Sequence, residues 1–166
     1  MNRHLRFILL FTAVWAGLTT AVFQSAPFLE WLCRIHASLL AGILPLLGIA
    51  CEADGIFVLF PGRERFIMIP ECTAVFVSIV FVAGVLAYPA PWRSKRSGIV
   101  WGVSLIAGIN IARLVVLGLL YVRAPRFFEF FHMYLWHVAF VAIVVLMLVG
   151  WTEAARGVRK SAHVPA

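Results

Sequence analysis

The feature that most constrains this chain is a series of long apolar stretches separated by short charged segments. Of its 166 residues, 63% are hydrophobic and 13% are charged. About a quarter of the residues in a soluble domain are charged. A helix of roughly 20 apolar residues crosses the hydrocarbon core of a bilayer. The sequence therefore predicts a single all-α integral membrane domain over residues 1–151, followed by a basic cytoplasmic tail over residues 152–166 that we expect to be disordered.

About four apolar stretches are long enough to be predicted as membrane spans. They are Phe7–Ala26, Cys72–Tyr88, Ile99–Val122 and Tyr134–Trp151. The first resembles a secretory signal, but its apolar run is long for one and its cleavage site is poor, so we expect a retained helix. The segment "RAPRFFEFFHM" between the last two spans is predicted to be a short polar connection.

Two further elements are predicted between the first and second spans. The apolar run from Ala37 to Ala50 is too short to cross a bilayer and contains Pro45, which favours a short interfacial or re-entrant helix. In "GIFVLFPGRERFIMIP", two runs rich in β-forming residues flank Pro61-Gly62. This pattern predicts a small β-hairpin at the extracytoplasmic membrane surface.

The charges are distributed unequally between the two sides of the predicted bundle. With the N-terminus in the cytoplasm, the inside segments carry eight basic residues and one acid, and the outside segments carry five arginines and six acids. This is the positive-inside pattern, so both termini are predicted to be cytoplasmic. Orientation in membrane lipid accounts for the net charge of +7. Because no basic stripe is interleaved with stacking aromatics, we expect no nucleic-acid partner.

Of the three cysteines, Cys72 has the most suggestive surroundings. Cys33 and Cys51 could pair with each other if both face an oxidising compartment, which would leave Cys72 unpaired. Pro70 suits a helix start, so we predict Cys72 in the first turn, where free N–H groups and the helix dipole favour a thiolate. The neighbouring Glu71 opposes that charge. The alternative is that Cys72 is only a small hydrophobic residue.

Arg113 is the strongest single signal because it lies within a predicted span. A charge at that depth costs at least about 2.5 kcal/mol, so an intramembrane arginine generally faces the protein interior and serves a function. Asn110 precedes it by one turn on the same helix face and is a candidate to hold the guanidinium or a substrate. The alternative is a structural clamp from Arg113 onto helix carbonyls or Glu71.

His132 and His137 are the candidate proton carriers. Their separation of five residues places them on different faces of an α-helix, so we expect one of them at the site and the other to pack or cap. The spacing differs from that of a zinc-binding helix, and no metal or other cofactor is expected. A surface histidine without a function is the alternative for either residue. The predicted topology brings His132, Cys72 and Arg113 to one membrane face.

These three residue types together indicate acyl transfer. A thiolate attacks a peptide carbonyl, an imidazole moves the proton, and a guanidinium stabilises the oxyanion. The sequence is similar to that of the exosortase/archaeosortase family of membrane cysteine transpeptidases. The similarity rests on "ADGIFVLFPGRERFIMIPECTAVFVSIVF", "NIARLVVLG" and "FEFFHMYLWHVAF", in that order. The chain resembles a short form of the family, with Thr73-Ala74 where many members have Ser-Gly.

The resemblance implies that Cys72 is the nucleophile, Arg113 the oxyanion-stabilising residue and His132 the proton carrier, with Asn110, Glu71 and His137 in supporting positions. It implies a protein-sorting enzyme of a bacterial inner membrane with its site facing outward. Its partners would be secreted proteins that carry a C-terminal motif, a transmembrane helix and a basic cluster, and an amine-bearing acceptor such as a lipid or glycan. A protease that only hydrolyses, or a non-enzymatic membrane assembly subunit, are the alternatives.

Overall fold

The computed structural model describes residues 2–62 and 65–161 as a helical bundle with a small sheet at one end. Its six α-helices, within these residues, are α1 (Arg3–Phe23), α2 (Ala26–Ile43), α3 (Val75–Ala87), α4 (Trp92–Arg123), α5 (Pro125–Phe130) and α6 (Trp136–Ser161). Two 3₁₀ turns, at Leu44–Leu47 and Pro70–Thr73, and a π-helical turn at Phe131–Leu135 complete the helical structure.

The predicted hairpin is present and has an additional strand. Strands β1 (Glu52–Asp54), β2 (Phe57–Leu59) and β3 (Phe66–Ile67) form an antiparallel sheet in the order β1-β2-β3. Between β2 and β3 the chain turns through Gly62, whose φ of +69° favours glycine. Arg63 and Glu64, which follow in the predicted hairpin, lie outside the described residues.

Four helices are long and apolar enough to cross a membrane among the residues that the structure describes, as expected. They are His4–Phe23, Ala26–Leu47, Trp92–Arg123 and Pro125–Arg156. Their identity differs from the prediction, because α3 has only 13 residues and spans about 20 Å, less than the roughly 30 Å of a hydrocarbon core. Residues 26–47, and not α3, are therefore the fourth segment long enough to span a membrane.

Side-chain contacts define two ends of the bundle. One end, called the basic end here, carries Arg93, Lys95 and Arg156. There Trp151 packs edge-on against Tyr88 and donates a hydrogen bond to the Ser94 carbonyl (3.3 Å). At the sheet end, Phe23 stacks on Phe76, and Tyr121 packs against rings from the sheet. Helices α1 and α4 therefore run toward the sheet end, and α3 and α6 run away from it.

Helix α2 stays at the sheet end. It begins just after Phe23, and its far end meets the last turns of α4, where Arg123 donates to the Leu47 carbonyl (3.1 Å) and Leu44 contacts Gly118. Because these contacts lie beyond the level of Phe76, α2 runs away from the basic end and does not pair with α1 as an antiparallel hairpin. The helix is longer than the short interfacial or re-entrant helix that the sequence predicted, and residues 26–47 are long and apolar enough to cross a membrane.

Two predictions about the C-terminal third are wrong. The predicted polar connection is helical from Pro125 onward, since only Ala124 (φ −146°, ψ 60°) breaks the helix between α4 and α5. The tail, predicted to be disordered from residue 152, continues α6 to Ser161, and no proline between Trp151 and that residue breaks the helix. Residues 162–166 lie outside the described residues.

The interior has two apolar cores that meet near the middle of α4. One core joins α2, the sheet and the C-terminal half of α4 around Leu40, Val58 and Leu114. The other joins α3, α6 and the N-terminal half of α4 around Phe81 and Ile106. The buried polar residues Asn110 and Arg113 lie where the two cores meet.

Candidate functional site

Cys72 lies on the 3₁₀ turn that precedes α3. Its N–H bonds to the Ile69 carbonyl (2.8 Å), and the Thr73 hydroxyl donates to the Pro70 carbonyl (2.7 Å). Ala74 then adopts a left-handed conformation (φ 55°, ψ 18°), which favours glycine, and α3 begins only at Val75. The prediction that Cys72 occupies the first turn of the long apolar helix is therefore wrong, because the left-handed residue ends one helix before the next begins.

Asn110 fastens this turn to the middle of α4. Its side chain is fully buried, and Nδ2 donates a 2.7 Å hydrogen bond to the Cys72 carbonyl. Its Oδ1 is 3.4 Å from Nη1 of Arg113, one turn further along the helix. The amide thus links the main chain of the candidate nucleophile to the guanidinium, a position that agrees with the sequence-based grouping of these three residues.

Arg113 is 5% exposed, a high degree of burial for a guanidinium. Its Cζ lies 5.6 Å from the centre of the Phe140 ring, a cation–π contact that stabilises the buried charge. No carboxylate pairs with it among the described residues, and its Nε has no hydrogen-bond partner there. The guanidinium therefore retains hydrogen-bonding capacity for a ligand.

His132 and His137 lie on the same side of the chain, contrary to the prediction from α-helical spacing. The π-helical turn over Phe131–Leu135 hydrogen-bonds residues five apart, which brings such residues into register one above the other. His132 is half-buried and stacks on Phe128 (5.4 Å between ring centres, 8° between planes). His137 is exposed, and both imidazoles line the same groove.

A groove of about 500 Å³ opens between α3 and α6. Glu71, Arg113 and the two histidines form its polar end, and side chains such as Val77, Val80 and Val141 form apolar walls. Cys72 is 2% exposed and does not itself line the groove, although Glu71 and Ala74 on either side of it do. The turn that carries Cys72 therefore separates its thiol from the groove.

Burial and nearby charges act on the pKa of the Cys72 thiol. Burial raises the pKa of its thiol above the ordinary value of 9.0. The hydrogen bond from the Ile69 backbone and the positive charge of Arg113 lower the pKa, and the negative charge of Glu71 raises it further. Burial is the largest effect, so the resting residue is a neutral thiol and needs a base to accept its proton.

Glu71 is exposed at the mouth of the groove. It makes no hydrogen bond or ion pair with any residue that the structure describes. The suggested role of orienting Arg113 or His132 through direct contact is therefore not seen in this conformation. Its carboxylate acts on the site through its charge.

Trp136 and Phe140, which form part of the groove beside Arg113, were not predicted from the sequence. The successive spacings of four residues from His132 to Trp136 and from Trp136 to Phe140 are the only signal, and such spacing is common in any apolar helix. No group of three His, Cys, Asp or Glu residues suitable for a metal ion occurs in the described part of the chain. Cys33 and Cys51, suggested as a pair, are free thiols.

Comparisons with protein-family models, with curated proteins and with solved structures find no match to this chain. The resemblance to the exosortase family thus rests on the three sequence motifs alone.

Proposed function

We propose that this protein is a membrane-embedded cysteine transpeptidase that cleaves C-terminal sorting signals of secreted proteins. One observation carries the proposal: Asn110 hydrogen-bonds both the Cys72 carbonyl and Arg113, and Arg113 and His132 line one groove beside the turn that carries Cys72. Arg113 interacts electrostatically with both Cys72 and His132. A thiol, a guanidinium and an imidazole at one place are the groups that acyl transfer needs.

The reaction begins when His132 accepts the Cys72 proton and the thiolate attacks a peptide carbonyl of the substrate. Arg113 stabilises the oxyanion of the tetrahedral intermediate. The intermediate collapses to a thioester as the C–N bond breaks, and His132 returns the proton to the departing amine. An amine-bearing acceptor then attacks the thioester, forms a new amide and releases Cys72 as a thiol.

The position of the site along α4 supports chemistry at a membrane surface. Asn110 is 18 residues from Trp92, or about 27 Å along the helix, close to the roughly 30 Å thickness of a hydrocarbon core. Beyond Asn110, Leu114 and Leu117 are covered by protein, while Val116 is exposed. With the basic end at the cytoplasmic boundary, in accordance with the charge distribution, the site lies near the outer boundary.

A substrate-processing assay tests the proposal. The protein is co-expressed with a secreted protein that carries a C-terminal motif, a transmembrane helix and a basic cluster, and C-terminal cleavage is followed. Cys72→Ala should abolish processing, and Cys51→Ala, which removes a thiol at the edge of the sheet-end core, should retain it. Full processing by Cys72→Ala would exclude the mechanism. Mass spectrometry of the product C-terminus separates transfer from hydrolysis, because hydrolysis leaves a free carboxylate.

One observation favours a second candidate, a non-enzymatic membrane assembly subunit. Cys72 is almost fully buried and its pKa is raised, as is usual for a cysteine that only packs in a core. That function predicts an inert thiol. A membrane-impermeant thiol reagent that labels Cys72 without any loss of function would support the subunit, and labelling that stops substrate processing would support the transpeptidase.

A further inference from the structure

Two unpaired hydrogen-bond donors occur on one groove. Among the described residues, the buried side-chain nitrogen and oxygen atoms without a partner are Thr19 Oγ1, Arg113 Nε and Trp136 Nε1. The last two belong to residues that line the groove between α3 and α6, and Thr19 does not line it. A buried donor without a partner is destabilising, so two on the same groove require an explanation.

Phe140 relates the two donors in space. The Arg113 Cζ lies 5.6 Å from the centre of the Phe140 ring, and the Trp136 ring centre lies 6.3 Å from it. Both side chains therefore contact Phe140, one through a cation–π contact and the other through a tilted ring contact. The indole donates a single hydrogen bond and accepts none, and a guanidinium likewise only donates. The partner that both groups lack is an acceptor oxygen.

The rest of the groove restricts what can carry that oxygen. Apart from Glu71, Arg113 and the histidines, its walls are mainly aliphatic and aromatic side chains from α3 and α6. The opposite charges of Arg113 and Glu71 leave the groove without a net charge, and a neutral carbonyl oxygen on an apolar molecule fits such a groove better than a carboxylate does. A peptide amide carbonyl has this chemistry.

We propose that Arg113 and Trp136 together bind a main-chain carbonyl oxygen of the substrate, and that Trp136 is a substrate-binding residue. The assignment of the ligand as a peptide rests on the proposed function. Both donor atoms are covered in the present conformation, so the indole and the guanidinium turn toward the groove when the ligand enters. Side-chain rotations of this kind are common on binding.

Trp136 lies at the end of the π-helical turn that carries His132. The backbone N–H of Trp136 donates a hydrogen bond to the carbonyl of Phe131, five residues earlier. This extra residue in the turn sets the direction in which the following side chains project. His132 and Trp136 are four residues apart, a spacing that an ordinary α-helix also places on one face, and the π-helical turn adds His137 to the same groove.

The binding step can be tested without catalysis. The protein with Cys72→Ala is labelled with ¹⁵N-tryptophan in detergent micelles, and the indole N–H signal of Trp136 is assigned by its loss in Trp136→Phe. The probe is N-methyldecanamide, which has one amide carbonyl on an apolar chain, and undecane is the control without an acceptor. We expect the amide, and not the hydrocarbon, to move the Trp136 proton signal downfield. An unchanged signal, or equal shifts with both probes, would overturn the proposal.

Trp101 provides a matched control, because it is 76% exposed on α4 and does not line the groove. Its indole signal should respond equally to the amide and the hydrocarbon. Trp136→Phe should weaken binding of the amide roughly two- to tenfold, as expected for loss of one neutral hydrogen bond, and Trp101→Phe should leave it unchanged. Equal affinities for the two variants would contradict the assignment. These results do not depend on whether Cys72 is reactive, so failure of the carbonyl site is distinguishable from failure of the transpeptidase.

Discussion

The two halves of α4 differ in what they bury. The half near the basic end packs through shape, because Gly102 lets the Phe81 ring approach the helix backbone and Ile106 is fully buried beside it. The half near the sheet buries Asn110 and Arg113, whose polar groups are only partly satisfied. The first arrangement serves stability, and the second retains hydrogen-bonding capacity that stability does not require.

Backbone irregularities are concentrated beside the second half. Ala74 is the one non-glycine residue with positive φ in the described chain, and the π-helical turn at Phe131–Leu135 lies across the groove from it. Left-handed residues and π-helical turns persist where the surrounding structure holds them, often at functional sites. The contrast suggests that the two halves respond differently to mutation.

Arg113→Leu should produce the largest effect, on activity and not on folding. Loss of the oxyanion-stabilising group should lower the processing rate about 100- to 1000-fold. The melting temperature should stay the same or rise, because the variant removes a buried charge that has no carboxylate partner. Single-turnover processing and thermal unfolding in detergent measure the two quantities.

Arg123→Leu is the control for this variant. Arg123 is exposed at the end of α4, and its guanidinium donates a hydrogen bond to the Leu47 carbonyl. The control should process substrate at nearly the parent rate. If Arg113 is merely a structural clamp, Arg113→Leu should instead unfold at lower temperature and keep its activity in the folded fraction.

Gly102→Ala should have the opposite signature, a loss of stability. A Cβ at this position would lie 2.1 Å from Cε1 of Phe81, and the ring is fully buried, so α3 and α4 have to separate. We expect destabilisation by about 1–3 kcal/mol in detergent unfolding, with normal activity in the molecules that remain folded. Gly108→Ala, on the same helix with no atom within 4 Å of the added Cβ, should be as stable as the parent. Equal stability of the two variants would refute the packing argument.

The sequence predicted the helical character of the chain, the hairpin and the grouping of polar residues, since these depend on local patterns. Apolar stretches of sufficient length mark the membrane helices, and Pro61-Gly62 marks the turn. Asn110 and Arg113 are one helical turn apart in any helix, so their hydrogen bond follows from spacing alone.

The features that the sequence did not predict depend on tertiary packing. Nothing in the residues 131–135 distinguishes a π-helical turn from an α-helical one, so the shared side of His132 and His137 was not foreseen. Ala74 gives no sequence signal of a left-handed residue, because alanine strongly favours an α-helix. The helix ends in the structure differ from the predicted ones for the same reason, and Cys72 lies on a 3₁₀ turn before α3 and not within α3.

The smallest predicted effect concerns Glu71 and pH. Its negative charge raises the pKa of Cys72, so Glu71→Gln should lower that pKa and move the pH profile of thiol reactivity toward lower pH. Below the pKa, the thiolate fraction rises about tenfold per pH unit, and at a fixed pH the variant should react faster than the parent, by less than tenfold. Alkylation of Cys72 by neutral iodoacetamide, in a background with Cys33→Ala and Cys51→Ala, measures the profile.

Glu129→Gln, which removes another exposed carboxylate, on α5, should leave the pH profile of Cys72 unchanged. Arg113→Leu should move the profile the other way, because the positive charge lowers the pKa of Cys72. Coincident profiles for Glu71→Gln and the parent would mean that the exposed carboxylate is too well screened by solvent to act on the thiol, and that Arg113 alone sets the charge at the site.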